Sequence, residues 1–163
     1  MALLPATLAS ALIANIDNFT MEAQATAAWA DSFDTYFQTA MAGAVPIIPP
    51  PFTATADARD QMEDALTGMS VQDMGSTKIV AGITAYWTQL TADATTIFSA
   101  CTAIAAPGGL AALKGLLDLD FASNTTGVVA KEAALTTIAN TIHTAQSGGT
   151  ATFPAPVGVQ TIV

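Results

Sequence analysis

Positive charge is nearly missing from this chain. Four basic residues, Arg59, Lys78, Lys114 and Lys131, are spread over 163 positions against thirteen Asp and Glu, giving a net charge of -9. A phosphate backbone is held by clustered Lys and Arg, so direct nucleic-acid contact is excluded. Electrostatic docking to anionic lipid is excluded for the same reason. Cysteine occurs once, at Cys101, which rules out an internal disulfide. Its setting, IFSACTAIAA, reads as that of a small buried hydrophobe. Histidine also occurs once, at His143. With so few parts most catalytic arrangements cannot be assembled, and the chain is read as non-enzymatic, with no cofactor and no metal.

Charged residues of both signs make up only 10% of the sequence, against about a quarter in an ordinary soluble domain. The hydrophobic share of 52% excludes disorder throughout. The surface is therefore built mostly from Ala, Thr, Ser, Gln and Asn. A surface so weakly charged is expected to be covered, most simply by further copies of the chain.

Binding motifs are missing as well. GGLAALKG has glycines and a lysine but no G-K-[ST] ending, so it is no phosphate loop. Asp118 and Asp120 in DLDFASNTTG resemble the start of a calcium loop, but Ala122, Ser123 and Val129 stand where ligands and the glycine are required. Asp57, Asp60, Glu63 and Asp64 share a helix face and read as solvated charge. Nothing local supports pairing Cys101 with His143. The opening MALLPATLASALIANI lacks the positive residues of a signal peptide. Residues 94–113 are uncharged and long enough to span a bilayer, but they are mostly Ala and Thr and are broken by APGG. No membrane partner is expected.

Helical periodicity is present in quantity. Leu8, Leu12 and Ile16 share one face of a first helix over 5–17. Ala25, Trp29, Phe33, Tyr36 and Ala40 form the aromatic stripe of a second, with Thr20 as cap and Gly43 as stop. A third spans 56–67, capped by Thr53 or Thr55, with Ala58, Met62 and Leu66 inward. Val80, Ile83, Trp87, Leu90, Ala94, Ile97, Cys101 and Ile104 continue one stripe, predicting a single helix from about Ser76 to 105. A short helix with Leu110, Leu113, Leu116 and Leu117 inward follows. DFASNTTG reads as a loop, and a last helix covers 126–146 with Val128, Leu135, Ile138 and Ile142 on its stripe. Trp29, Phe33, Tyr36, Ile83, Trp87 and Leu90 are the expected core.

Two segments break this pattern. MAGAVPIIPPPFT carries four prolines, which cannot continue a helix. It predicts a stiff apolar spacer over 41–54, packed across two helical hairpins. TATFPAPVGVQTIV at 150–163 is uncharged and extended. An exposed apolar strand invites pairing, either within the fold or onto a neighbour. The fold class is thus mainly α: a helical bundle of paired hairpins over 1–149, with the proline-rich spacer and an extended C-terminal arm. The expected intersubunit contacts are Val45, Ile47, Ile48 and Phe52 in the spacer, and Phe153, Val157, Val159 and Ile162 in the arm. Deleting the arm is then expected to leave a folded monomer that no longer assembles.

The opening MALLPATLASALIANI, the helix AQATAAWADSFDTYFQTAMAG, the AYWTQL helix and the closing FPAPVGVQTIV resemble small Ala/Thr-rich structural proteins of tailed bacteriophage virions. The resemblance implies a non-enzymatic component of the tail, baseplate or neck, assembled in the host cytoplasm. It implies a homo-oligomer whose partners are itself and other virion proteins, and it carries over no functional residues. A secreted or surface helical interaction protein, and a membrane-active protein using 94–113, are the other classes that the composition allows.

Overall fold

A computed structural model describes residues 3–16, 21–48, 55–70, 74–124 and 130–163. Among these the chain is mainly helical, with seven helices and five short strands. The helices are α1 (Pro5–Asn15), α2 (Glu22–Phe37), α3 (Ala56–Leu66), α4 (Gly75–Ala92), α5 (Ala94–Ile97), α6 (Leu110–Asn124) and α7 (Lys131–Gln146). The strands are β1 (Met41–Ala42), β2 (Val45–Pro46), β3 (Ala103–Ala105), β4 (Thr150–Thr152) and β5 (Val159–Thr161).

Six helices form a closed circuit. α1 packs on α2, α2 on α3, α3 on α4, α4 on α6, α6 on α7, and α7 returns to α1. The middle of the circuit is filled by the aromatic stripes. Phe33 and Tyr86 meet edge to face with centroids 4.9 Å apart, and Phe37 lies 5.4 Å from both Tyr86 and Trp87. Such geometry places ring edges on ring faces and adds to simple area burial. All six expected core residues are buried. Gly82 on α4 lets α3 approach: a Cβ there would lie 3.0 Å from Leu66 and 3.2 Å from Met62.

The helix after Ser76 is not continuous. α4 ends at Ala92, one short turn of α5 follows, and Ala100 takes a positive φ of 61° before β3. Ala94, Ile97, Cys101 and Ile104 are all buried, so the stripe was right about burial and wrong about backbone. Asp93 starts the break: its carbonyl accepts Thr96 N–H at 2.8 Å and the Thr96 hydroxyl at 2.8 Å. α6 is longer than expected, because Phe121 extends the face of Leu113 and Leu117 and packs against the core. Leu116 is turned outward, 42% exposed. The final helix begins at Lys131, and Val128 lies outside the described residues.

The cap expectations change too. Thr20 and Thr53 lie outside the described residues. Thr55 occupies the N-cap position of α3 but makes no cap hydrogen bond, because its hydroxyl is committed to Asp34. α2 ends at Phe37, and Gly43, with φ 59°, serves instead in the β1–β2 turn.

The terminal segment folds back on its own chain. β4 is the centre of an antiparallel sheet ordered β3-β4-β5. Beyond β5, Met41 and Val163 exchange two backbone hydrogen bonds of 2.8 Å, so β1 covers the outer side of the sheet's last residues. Ile48 N–H donates to the Ile97 carbonyl at 2.8 Å, and Ile47 bridges to Phe98. Met41–Ala42 and Val45–Pro46 pair as a short antiparallel hairpin turning at Gly43, so this part of the segment is not the stiff rod expected from its prolines, and Phe52 and the Pro49–Pro51 run lie outside the described residues.

Candidate functional site

The described contact residues fall into three groups. Ile47, Phe153 and Ile162 are buried in the chain's own core, at 6%, 5% and 2% exposure. They cannot at the same time anchor a neighbour, and this corrects their assignment as intersubunit anchors. Phe153 is held by its N–H donating to the Gly158 carbonyl at 2.9 Å, which closes the hairpin between β4 and β5. Val157 and Val159, at 48% and 64%, remain outward. Val45 and Ile48 are half-buried.

The residues with chemical potential are each engaged structurally. Cys101 is buried, and its thiol donates to the Ala103 carbonyl at 3.2 Å. His143 Nδ1 lies 2.9 Å from the Tyr36 hydroxyl, so the cysteine and the histidine have separate partners. Arg59 on α3 gathers Asp31, Asp60 and Glu63, which accounts for part of the acidic face. Asp118 accepts from Lys114 at 2.7 Å and from the Ser76 hydroxyl, and these two hydrogen bonds lower its pKa. Among the described residues no three His, Cys, Asp or Glu side chains could hold a metal.

A cavity of about 220 Å³ opens where α2, α7 and β5 meet. Tyr36, His143, Gln146, Ser147 and Ile162 line it. Burial lowers the pKa of His143 and raises that of Tyr36, so both are neutral near pH 7. Gln146 is 1% exposed; its Oε1 accepts the Trp87 indole N–H, and its Nε2 has no partner among the described residues. The neutral, hydrogen-bonded groups of this cavity can seat polar atoms or water.

The His143 shift has a sign that can be measured. The folded ring titrates below its ordinary value of 6.5, so the unfolded chain binds a proton more readily. Stability then rises with pH through this region and is lost as pH falls below 6.5 and through the folded value. Acidification from pH 7 to 5 is expected to lower the melting temperature of the wild type more than that of His143→Gln. Parallel curves for the two would remove the histidine from the acid response.

A second polar cluster joins three helices, and sequence reading missed it. Asp34 on α2 accepts the Tyr86 hydroxyl of α4 at 2.7 Å, the Thr55 hydroxyl at the start of α3, and Gln38 Nε2 at 3.1 Å. Tyr86 and Thr55 are fully buried. In the sequence Asp34 is merely an acid off the aromatic stripe, and its partners on the other two helices stand 21 and 52 residues away. Hydrogen bonds to charged groups contribute about 1.5–3 kcal/mol each. Asp34→Ala is expected to cost about 3 kcal/mol and Tyr86→Phe about 2 kcal/mol, read from urea midpoints. A loss under about 0.5 kcal/mol in both would mean that water replaces the carboxylate freely.

Comparison of the chain with protein-family models, with curated proteins and with solved structures finds no match in any of the three. Among the described residues no helix is long and apolar enough to cross a membrane.

Proposed function

We propose that the chain is a non-enzymatic structural subunit of a bacteriophage virion, in its tail, baseplate or neck, present in several copies and contacting other virion proteins. The observation that carries this reading is the outer surface of α4 and α7. On α4 the exposed positions are Ala81, Thr84, Thr88, Thr91 and Ala92. Between Ala133 and Thr144 on α7 they are Ala133, Thr136, Thr137, Asn140 and Thr144.

The threonine hydroxyls on these faces donate to their own helices. Thr84, Thr88 and Thr91 bond the carbonyls four residues back at 2.8, 2.8 and 2.9 Å. Thr136, Thr137 and Thr144 do the same at 2.7, 3.0 and 2.9 Å. With the donors satisfied internally, these faces present methyl groups. Covering them strips little hydration and leaves few polar groups unpaired, the condition under which burial is favourable. Soluble chains ordinarily spread Lys, Glu, Arg and Asp over such faces. Assembly in this reading runs chiefly through helix faces, since the C-terminal segment is already committed to the chain's own sheet.

The test is to probe purified tailed-phage particles from the source culture with an antibody raised against the chain. Stoichiometric, regularly spaced labelling is expected. Intact particles that carry none of the chain would remove the virion reading.

A further inference from the structure

Two hydrogen-bond donors at the cavity between α2, α7 and β5 are left over by the chain's own bonding. Gln146 lines the cavity and is 1% exposed; its Oε1 is taken by the Trp87 indole, while its Nε2 has no partner among the described residues. A buried amide nitrogen without an acceptor is rare in a native fold and calls for a group to meet it. The second donor comes from the Tyr36 hydroxyl and His143 Nδ1, 2.9 Å apart. If the hydroxyl donates, the ring keeps its N–H on Nε2; if Nδ1 donates, the hydroxyl proton is free. Either tautomer leaves one donor unspent.

The walls set the rest of the ligand's chemistry. Leu3, Ile162 and Val163 give the cavity its apolar side. No Lys or Arg side chain lines it among the described residues, and burial lowers the pKa of His143, so the ring is neutral near pH 7. An anion would enter without a partner charge and lose its hydration uncompensated. The volume of about 220 Å³ exceeds the roughly 150 Å³ that admits a benzene ring. The cavity is open on one side, so a ligand can reach it without unfolding the chain.

We propose that this cavity binds a small neutral amide of ring size, whose carbonyl oxygen accepts from Gln146 Nε2 and from the Tyr36–His143 pair while its apolar body lies on Leu3, Ile162 and Val163. A carbonyl oxygen has two lone pairs and so can meet both donors. Water at the open side takes the ligand's own N–H groups. A hydrocarbon of the same size would fill the volume and leave both donors without an acceptor. A carboxylate would meet the donors but give up its hydration with no cation beside it. The proposal is independent of the virion reading, since every group it uses belongs to one chain.

The experiment is NMR of the full-length chain near pH 7, titrated in turn with benzamide, toluene and benzoate. The sequence has one histidine, so the His143 ring signals are identified without variants. Benzamide is expected to shift them saturably with a Kd of about 1 mM, and to bind about tenfold tighter than toluene or benzoate. Nuclear Overhauser contacts should run from its ring protons to Ile162. No saturation up to about 20 mM benzamide overturns the site. Toluene or benzoate binding as tightly as benzamide overturns the neutral carbonyl chemistry, and contacts only to residues outside the cavity overturn the location. In Gln146→Leu, benzamide is expected to lose its advantage over toluene. A Gln146→Leu chain that folds and still prefers benzamide about tenfold overturns Gln146 as the donor. The three-probe comparison on the unaltered chain decides the proposal if that variant does not fold.

Discussion

Ending the chain at Gly149 is expected to abolish cooperative thermal unfolding. The truncation removes β4, the central strand of the β3-β4-β5 sheet, with both of its neighbours' hydrogen bonds. It also removes Ala151, Phe153 and Ile162, all buried, and the two bonds by which Val163 holds Met41. Losing a buried phenylalanine costs about 3–5 kcal/mol and a buried isoleucine about 2–5 kcal/mol. The whole stability of a domain is about 5–15 kcal/mol. The deletion therefore takes most or all of it, before counting the backbone groups of β3 and β1 left without partners. The measurement is circular dichroism at 222 nm against temperature. A flat, non-cooperative trace is expected, with Phe153→Ala and Ile162→Ala each lowering the urea midpoint in the intact chain. A truncated chain that melts cooperatively within a few degrees of the full-length protein would make the hairpin peripheral, and would restore the arm as a segment free to reach a neighbour.

That expectation reverses the one drawn from sequence, and the reason is physical. An apolar strand announces that it must be covered but not by what. Phe153 and Ile162 were legible as anchors from their residue type. Whether the covering surface is the chain's own or a neighbour's is settled by Gly149, Met41 and β3, which are distant in sequence or locally featureless. Three-residue strands such as Ala-Ile-Ala and Thr-Ala-Thr carry no usable alternation, so β3 is indistinguishable in sequence from the tail of a helix. The stripe through Ala94, Ile97, Cys101 and Ile104 misled in the same way: burial kept its period while the backbone changed. Long amphipathic segments fared better. The aromatic stripes of α2 and α4 and the core of α3 lie where their spacing put them. The contact of α1 with α7 that closes the circuit joins opposite ends of the chain and leaves no local mark. The Asp34 cluster is hidden for a different reason. It consists of residues whose type suits a bland position, and only their neighbours give them meaning.

Trp87→Ala is expected to be the most damaging single substitution. The indole is 1% exposed, stands edge-on to Phe37 at 89°, and lies so close to the backbone that a Cβ at Gly149 would come within 2.6 Å of it. Its loss opens a cavity costing about 3–5 kcal/mol. It also takes away the donor to Gln146 Oε1, on a side chain whose Nε2 has no partner among the described residues. Leaving a buried amide wholly unpaired costs about 1–3 kcal/mol more. The two contributions can be separated. Trp87→Phe keeps most of the ring and orphans the amide, whereas Gln146→Leu removes the amide and orphans the indole N–H. Because each single change leaves a buried polar group behind, the double variant should lose less than the sum of the two singles by about 1 kcal/mol or more. Urea unfolding of the four proteins measures this. Strict additivity would mean that the indole and the amide contribute only as packed volume, and that the hydrogen bond joining α4 to the end of α7 adds nothing to the closure of the helical circuit.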